Sequence, residues 1–304
     1  MSLASRAVRQ RAMADMFRDI EKIWGNLDRL LRPDLKVERC ETLSTPALKR
    51  LFLLQTLALV VPNFLEQPEP LAAAILKAGE TARNWSVTSS RGMESSDVRA
   101  VGGTPFNVAV ASQDTERYFT EDVPSAKAWL RGLPGGAALD RLRGDLDDAW
   151  PRGCSAKKDA EGRPHHVGLG RVMAGPTVWD QGFIHVDELA PLSPTRGHFS
   201  ANVYLKLPST GGMLELWPLQ FESRWQFYAN AHTLSKLVNV DEAAQRALRA
   251  RLGPPVLLDV APGDLVLLSV QRPHAVQGWA SAESRASLQA FVNFSGDEAL
   301  TLEA

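Results

Sequence analysis

The stretch Gly182-Phe183-Ile184-His185-Val186-Asp187 decides how this chain is read. Its aromatic and β-branched residues give it strand character, and in a strand the side chains at i and i+2 leave from one face. His185 and Asp187 then stand side by side. With one more imidazole they form the set of two histidines and one carboxylate that holds non-heme Fe(II) and leaves three coordination positions open. Arg272-Pro273-His274-Ala275-Val276 offers that imidazole. His274 lies at a strand end, as His185 does. A histidine two residues before an aspartate is a weak motif by itself in a chain with six histidines, so the surroundings must carry the reading.

Working outward, the sequence after Pro164 reads as short strands: Val167 to Ala174, Val178 to Asp187, Phe199 to Leu207, Met213 to Trp217, Val256 to Val260, Leu265 to Val270, Ala275 to Ala280 and Ala286 to Phe294. Ser209-Thr210-Gly211-Gly212 and Pro262-Gly263-Asp264 supply turns between them. Eight strands suffice for a double-sheet barrel, and a jelly-roll arrangement closes most of the edges. The run from Pro218 to Pro255 interrupts them as a helical insert. Trp225, Tyr228, Ala229 and His232 mark one helical face, and Asp241 stands near the N-cap of a second helix reaching Leu252. Such an insert either covers the barrel mouth and shapes a substrate pocket or serves oligomer contacts.

Upstream, Met13, Met16, Phe17, Ile20, Ile23, Trp24, Leu27, Leu30 and Leu31 recur at helical spacing, which predicts an amphipathic helix from Val8 to a stop near Pro33. Its apolar face packs on its own domain or on a second subunit, so a homodimer is compatible with it. Leu51 to Leu65 reads as a buried strand or helix, followed by a Pro-bounded cap and a helix through Leu71, Ala74, Ile75 and Ala78. From about Ala82 to Gly162 the pattern predicts short helices and surface loops. The expected architecture is α+β, one elaborated domain over 1–304. Residues 1–162 form a mainly helical flank and 163–297 the barrel core, with the insert at 218–255.

Composition narrows the function. A chain of 304 residues with 44% hydrophobic content can bury a large core. A net charge of −1 without a basic patch or polybasic stretch points away from nucleic acid and membrane surfaces, toward a small-molecule ligand. Cys40 and Cys154 match no zinc spacing and suit a reducing compartment. The longest apolar run, Leu51 to Val61, is too short for a bilayer and the N-terminus shows no signal-peptide core, so a cytoplasmic location is expected.

Eleven residues after His274, the run Arg285-Ala286-Ser287-Leu288-Gln289-Ala290-Phe291 puts Arg285 and Ser287 on one strand face. An unpaired guanidinium inside a barrel is very costly, so an inward Arg285 demands an anion, either a protein carboxylate or a bound ligand carboxylate held bidentately. A dicarboxylate cosubstrate satisfies it. The ordered set His185-x-Asp187, His274 and Arg285-x-Ser287, with Asn202-Val203-Tyr204-Leu205, Gly211 to Trp217 and Pro262-Gly263-Asp264 between, resembles the Fe(II)- and 2-oxoglutarate-dependent oxygenases. The resemblance covers roughly Val167 to Ser295 and, more faintly, Val60 to Leu65.

The resemblance implies a double-stranded β-helix of the jelly-roll, cupin-like type, with His185, Asp187 and His274 as catalytic metal ligands. It implies Fe(II), 2-oxoglutarate and O2 as cofactor and cosubstrates, with Arg285 and Ser287 on the distal carboxylate of 2-oxoglutarate. The implied reaction is hydroxylation of an unactivated carbon of an amino acid or natural-product intermediate, with release of succinate and CO2. Asp187 argues against the halogenase branch, which lacks that carboxylate. Asn202 and Tyr204 are candidates for hydrogen bonds to the cosubstrate, and Lys206 is the rival anchor to Arg285. Arg171, Trp179, Trp225 and His232 are candidate substrate residues, against a packing or solvated role for each; Trp217 and Trp279 read as core or pocket, and His165, His166 and His198 as solvated. The competing readings are a metal-binding or ligand-binding barrel without redox turnover, a protein-side-chain hydroxylase and a zinc hydrolase. Arg285 discriminates, because a structural zinc site has no use for an inward cation and hydroxyl beyond its last ligand.

Overall fold

The computed structural model describes residues 3–82, 84–89, 92–188, 196–238 and 241–304, with side chains for 12–82, 97–188, 196–237 and 241–304. Among them thirteen strands occur: β1 (Val37–Arg39), β2 (Ala58–Val61), β3 (Asn84–Ser89), β4 (Gly92–Val101), β5 (Cys154–Ala156), β6 (Leu169–Ala174), β7 (Gly197–Lys206), β8 (Leu214–Leu216), β9 (Val256–Leu258), β10 (Leu265–Ser269), β11 (His274–Val276), β12 (Ser284–Phe294) and β13 (Leu300–Glu303). Ten form one sheet in the order β1-β2-β10-β7-β12-β6-β4-β3, with β13 added beside β12 and β5 beside β13. The other three form a small sheet, β11-β8-β9. Pairing is antiparallel except for β1 with β2 and β5 with β13.

The large sheet is two-faced because its central strands alternate. Phe199, Ala201, Val203 and Leu205 of β7, with Ala286, Leu288, Ala290 and Val292 of β12, enter the main core, where helices Thr45–Phe52, Glu69–Gly79 and Ala138–Ala149 place Leu48, Ile75 and Leu142. The intervening residues Ser200, Asn202 and Tyr204, and Arg285, Ser287, Gln289 and Phe291, turn to a cavity on the opposite face. Gly170 of β6 lets a helix approach closely, since a Cβ there would stand 3.2 Å from Ile75 and Val101. Between the sheets, Val266 and Leu268 of β10 pack with Tyr204, Leu214, Leu216 and Leu258.

Several expectations are corrected. Residues 178–187 form no regular strand; a turn at 180–181 leads to an isolated bridge, His185 with His274. The Ala82 to Gly162 region, expected as helices and loops, contains the β3–β4 hairpin, which joins the large sheet through β6. The flank 1–162 thus supplies five strands besides its helices. The N-terminal helix is Leu3–Trp24, and after Gly25 and Asn26 a short helix, Leu27–Leu30, precedes Pro33. Its apolar face packs on its own chain only in part: Phe17 and Ile20 are half-buried, while Met13, Met16, Ile23 and Trp24 are exposed. The insert is helical as expected, at Arg224–Ala229, Ala231–Leu234 and Glu242–Leu252, and the Asp241 carboxylate caps the last by accepting from the Ala244 N–H at 3.1 Å. Cys40 and Cys154 are free thiols. No helix among the described residues is long and apolar enough to cross a membrane.

Candidate metal centre

The segment carrying His185 and Asp187 reaches the cavity through a Gly182 turn with φ +75, where a Cβ would collide with the Val276 carbonyl. Two main-chain bonds join His185 and His274, N to O at 3.0 and 2.9 Å, and the Asp187 N–H donates to the Val270 carbonyl at 2.9 Å. The extended register leaves both side chains on one side, as the i, i+2 spacing predicts, although the segment is no strand.

The two imidazole centroids lie 4.3 Å apart. His185 Nδ1 stands 3.0 Å from the Phe183 carbonyl and His274 Nδ1 2.9 Å from the Arg272 carbonyl. A carbonyl only accepts, so both Nδ1 atoms carry a proton and both Nε2 atoms face Asp187. The Nε2 to carboxylate distances are 3.6 Å from His185 and 3.9 Å from His274. The three donor atoms lie within 4.8 Å of one another. Burial, reinforced by the nearby His185, pushes His274 down to about 4, so it stays neutral and able to ligate near pH 7.

The insert grips this segment through a residue that the sequence reading missed. Gln245, from helix Glu242–Leu252, accepts from the Ile184 N–H at 2.8 Å and donates to the Ile184 carbonyl at 3.2 Å. Arg272 similarly ties the His274 loop down, its guanidinium donating to the Leu54 and Thr56 carbonyls at 2.9 Å each.

The cavity beside the three residues measures about 470 Å³. Arg285 is 7% exposed, its guanidinium carbon lies 4.9 Å from the Tyr204 ring centroid, and its Nε is buried with no partner among the described residues. Ser287 pairs with Tyr204 across a bulge in the β12–β7 ladder. Asn202 donates to Ser200 at 2.6 Å, and Gln289 donates to Ser200 at 3.1 Å while its carbonyl oxygen accepts from Arg171 Nε at 2.7 Å. Burial lowers Arg171 to about 10, with Asp187 opposing the shift, so it keeps its charge at neutral pH. Phe183 stacks on the His185 ring at 5.6 Å, and Trp179 stands against Phe183 at 5.4 Å.

With the geometry in place, comparison with known proteins becomes informative. The chain matches no protein-family model and no curated protein. Among solved structures it resembles an N-substituted L-amino acid dioxygenase from Burkholderia ambifaria, with a TM-score of 0.50 and 14% identity over 86% of this chain and 91% of that one. The chain shares that fold. A second structure of an N-substituted L-amino acid dioxygenase from the same organism, in complex with α-ketoglutarate, gives 0.48 and 15% over 85% and 90%. A prolyl-4-hydroxylase from Pseudomonas putida gives 0.37 and 16% over 82% and 98%.

Of the sequence-predicted site residues, His185, Asp187, His274, Arg285, Ser287, Asn202, Tyr204, Arg171 and Trp179 all line the one cavity. Trp225 and His232 do not. Trp225 is 56% exposed and meets Trp24 of the N-terminal helix, and His232 lies on the neighbouring helix, so their apolar face covers the N-terminal helix instead of the cavity mouth. Among the described residues Leu237 is what the insert adds to the lining. Lys206 is exposed outside the cavity, Trp217 and Trp279 are buried outside it, and His165 and His166, expected in solvent, are buried against Tyr118 and Phe106. His198, also expected in solvent, is half-buried, its ring against Phe291 at 4.8 Å. Ser200, Gln289 and Phe291 were missed although the same period of two that placed Asn202 and Ser287 reaches them. Asp97, on the β3–β4 hairpin, gave no such signal.

Proposed function

We propose that this chain is an Fe(II)- and 2-oxoglutarate-dependent oxygenase built on a double-stranded β-helix, hydroxylating an unactivated carbon of a small carboxylate-bearing molecule such as an amino acid. The observation that carries the reading is the joint one: two Nε2 atoms and a carboxylate converge at the wall of a cavity that also contains the buried cation Arg285. The donor set fits Fe(II), with two imidazole nitrogens and one hard oxygen ligand on one side and an open cavity on the other. The cation fits the second group, since a buried guanidinium with an unbonded Nε is completed by a carboxylate.

His185, Asp187 and His274 would hold the metal, and the carbonyls of Phe183 and Arg272 fix the ring orientations that ligation needs. Arg285 would take the distal carboxylate of 2-oxoglutarate, with Ser287 adding a hydroxyl donor and Tyr204 the aromatic face beneath the guanidinium. Bound there, the metal would activate dioxygen, with 2-oxoglutarate giving up two electrons on decarboxylation to succinate and CO2 while one oxygen atom goes to the substrate carbon. Asn202, held through Ser200, which also accepts from Gln289, would offer a further hydrogen bond to the cosubstrate. Arg171, aimed by Gln289, is assigned to the substrate carboxylate, and Trp179 and Phe183 to its apolar part. These rings, with Phe291, also keep bulk water from the reacting carbon.

Succinate release with Fe(II), 2-oxoglutarate and air, measured over a panel of amino acids and N-substituted amino acids, tests the assignment. Stoichiometric succinate and hydroxylated product are expected with at least one carboxylate-bearing compound. A metal-loaded protein that consumes no 2-oxoglutarate with any of them would favour the non-redox barrel.

A further inference from the structure

The two segments that carry the metal ligands are bridged at His185 and His274 by a single isolated pair of main-chain bonds. The Asp187 N–H to Val270 carbonyl and Thr177 N–H to Trp279 carbonyl bonds join the same segments at wider spacing, but no regular ladder continues the bridge, so part of the relative orientation of the segments is left to contacts from outside. The His185 segment is bound directly to one face of helix Glu242–Leu252, and the His274 segment is linked to it through Glu215 and Trp217. Gln245 holds the two main-chain groups of Ile184, and its amide also donates to the Lys236 carbonyl at 3.1 Å. One helical turn on, at i+4, the Arg249 guanidinium donates to the Gln181 carbonyl, four residues before His185.

The same guanidinium reaches the His274 side. It forms a 2.7 Å ion pair with Glu215, which is 5% exposed and pairs across the small sheet with Ala275, the neighbour of His274. Its carbon also lies 5.1 Å from the ring centroid of Trp217. Trp217 in turn donates its main-chain N–H to the Pro273 carbonyl at 3.0 Å and its indole N–H to the Gly253 carbonyl at 2.8 Å, just past the helix end. Neither Gln245 nor Arg249 lines the cavity. A buried ion pair is weak evidence for stability, because well-packed apolar residues often serve as well. What this one supplies is direction, since each contact ends on a chain segment next to a ligand.

We propose that Gln245 and Arg249 are positioning residues for the metal centre, fixing the separation and twist of the His185 and His274 segments. Through Lys236 the Gln245 amide also ties that geometry to Leu237, the insert residue in the cavity wall. The proposal rests on the assignment of His185, Asp187 and His274 as metal ligands, but on neither 2-oxoglutarate nor dioxygen.

Calorimetric titration of Co(II) into the metal-free full chain, without cosubstrate, tests it. Gln245→Leu and the double variant Arg249→Met/Glu215→Leu, which removes both charges of the pair together, should each lower Co(II) affinity about 10- to 100-fold. Arg249→Lys keeps the charge opposite Glu215 but not the fork that also reaches Gln181, so its loss should be smaller. Leu142→Ala is the control for stability alone: it opens a hole in the main core on the far side of the large sheet and should bind Co(II) as the wild type does. The visible absorption of bound Co(II), which reports ligand geometry, should change in the Gln245 and Arg249 variants and not in Leu142→Ala. If Gln245→Leu fails to fold, the Arg249 variants decide. Folded variants with wild-type affinity and spectrum overturn the inference, as does an equal loss in Leu142→Ala. A wild type that binds no Co(II) would remove the metal centre itself.

Discussion

Replacing His274 by alanine is expected to abolish stable Fe(II) binding and, with it, succinate formation. His274 supplies one of three donors, and its main chain pairs with that of His185, so the substitution deletes a ligand while leaving those backbone bonds able to form. Loss of a group that only orients a ligand costs about 10–100-fold in metal affinity. Loss of the ligand itself should therefore cost more than about 100-fold. Metal titration monitored by calorimetry, with circular dichroism as the folding control, measures it. His232→Ala provides the contrast: this histidine lies outside the cavity, and its removal should leave metal affinity unchanged. Equal losses in the two variants would mean that His274 acts through stability and not as a ligand.

Arg285→Ala should chiefly weaken 2-oxoglutarate. Removing one partner of a buried, hydrogen-bonded charge pair costs about 2–5 kcal/mol, a fall in affinity of roughly 30- to 5,000-fold. Iron binding should persist, because none of the three donors is touched. Arg285→Lys should recover part of the loss, since the charge is kept but the planar fork is not. Lys206→Ala should have no effect, as Lys206 is exposed outside the cavity. Titration of 2-oxoglutarate into the iron-loaded protein separates these outcomes, and a greater effect from Lys206 than from Arg285 would move the anchor.

The site was legible in the sequence where a period of two governs it. Asn202 and Tyr204, and Arg285 and Ser287, project inward because β7 and β12 are long central strands whose opposite faces meet helices. The spacing of His185 and Asp187 was informative even though the strand was not formed, because alternate main-chain bonds to His274 and Val270 keep the segment extended. Helical periodicity was less informative about Trp225 and His232. It identifies an apolar face but not what covers it, and that face lies toward the N-terminal helix. His165 and His166 were misread because their charged sequence neighbours suggested solvent, whereas Tyr118 and Phe106, distant in sequence, enclose them. Gln245 and Arg249 gave no local signal at all, since their contacts depend on the insert docking against Gln181, Ile184 and Glu215. The β3–β4 hairpin was missed because the alternation at Trp85-Ser86-Val87-Thr88 is short and Glu94-Ser95-Ser96-Asp97 interrupts any apolar period on its partner strand.

The central claim is that one cavity brings together an iron site and a 2-oxoglutarate site. Anaerobic addition of Fe(II) and then 2-oxoglutarate, followed by visible absorption, tests it most directly, because the weak metal-to-ligand charge-transfer band requires the keto acid to chelate the bound metal. The band is expected with the wild type, absent from His274→Ala, and shifted to higher 2-oxoglutarate concentration in Arg285→Ala. Iron that binds without any band at saturating 2-oxoglutarate would contradict the account and leave a metal site without oxygenase chemistry.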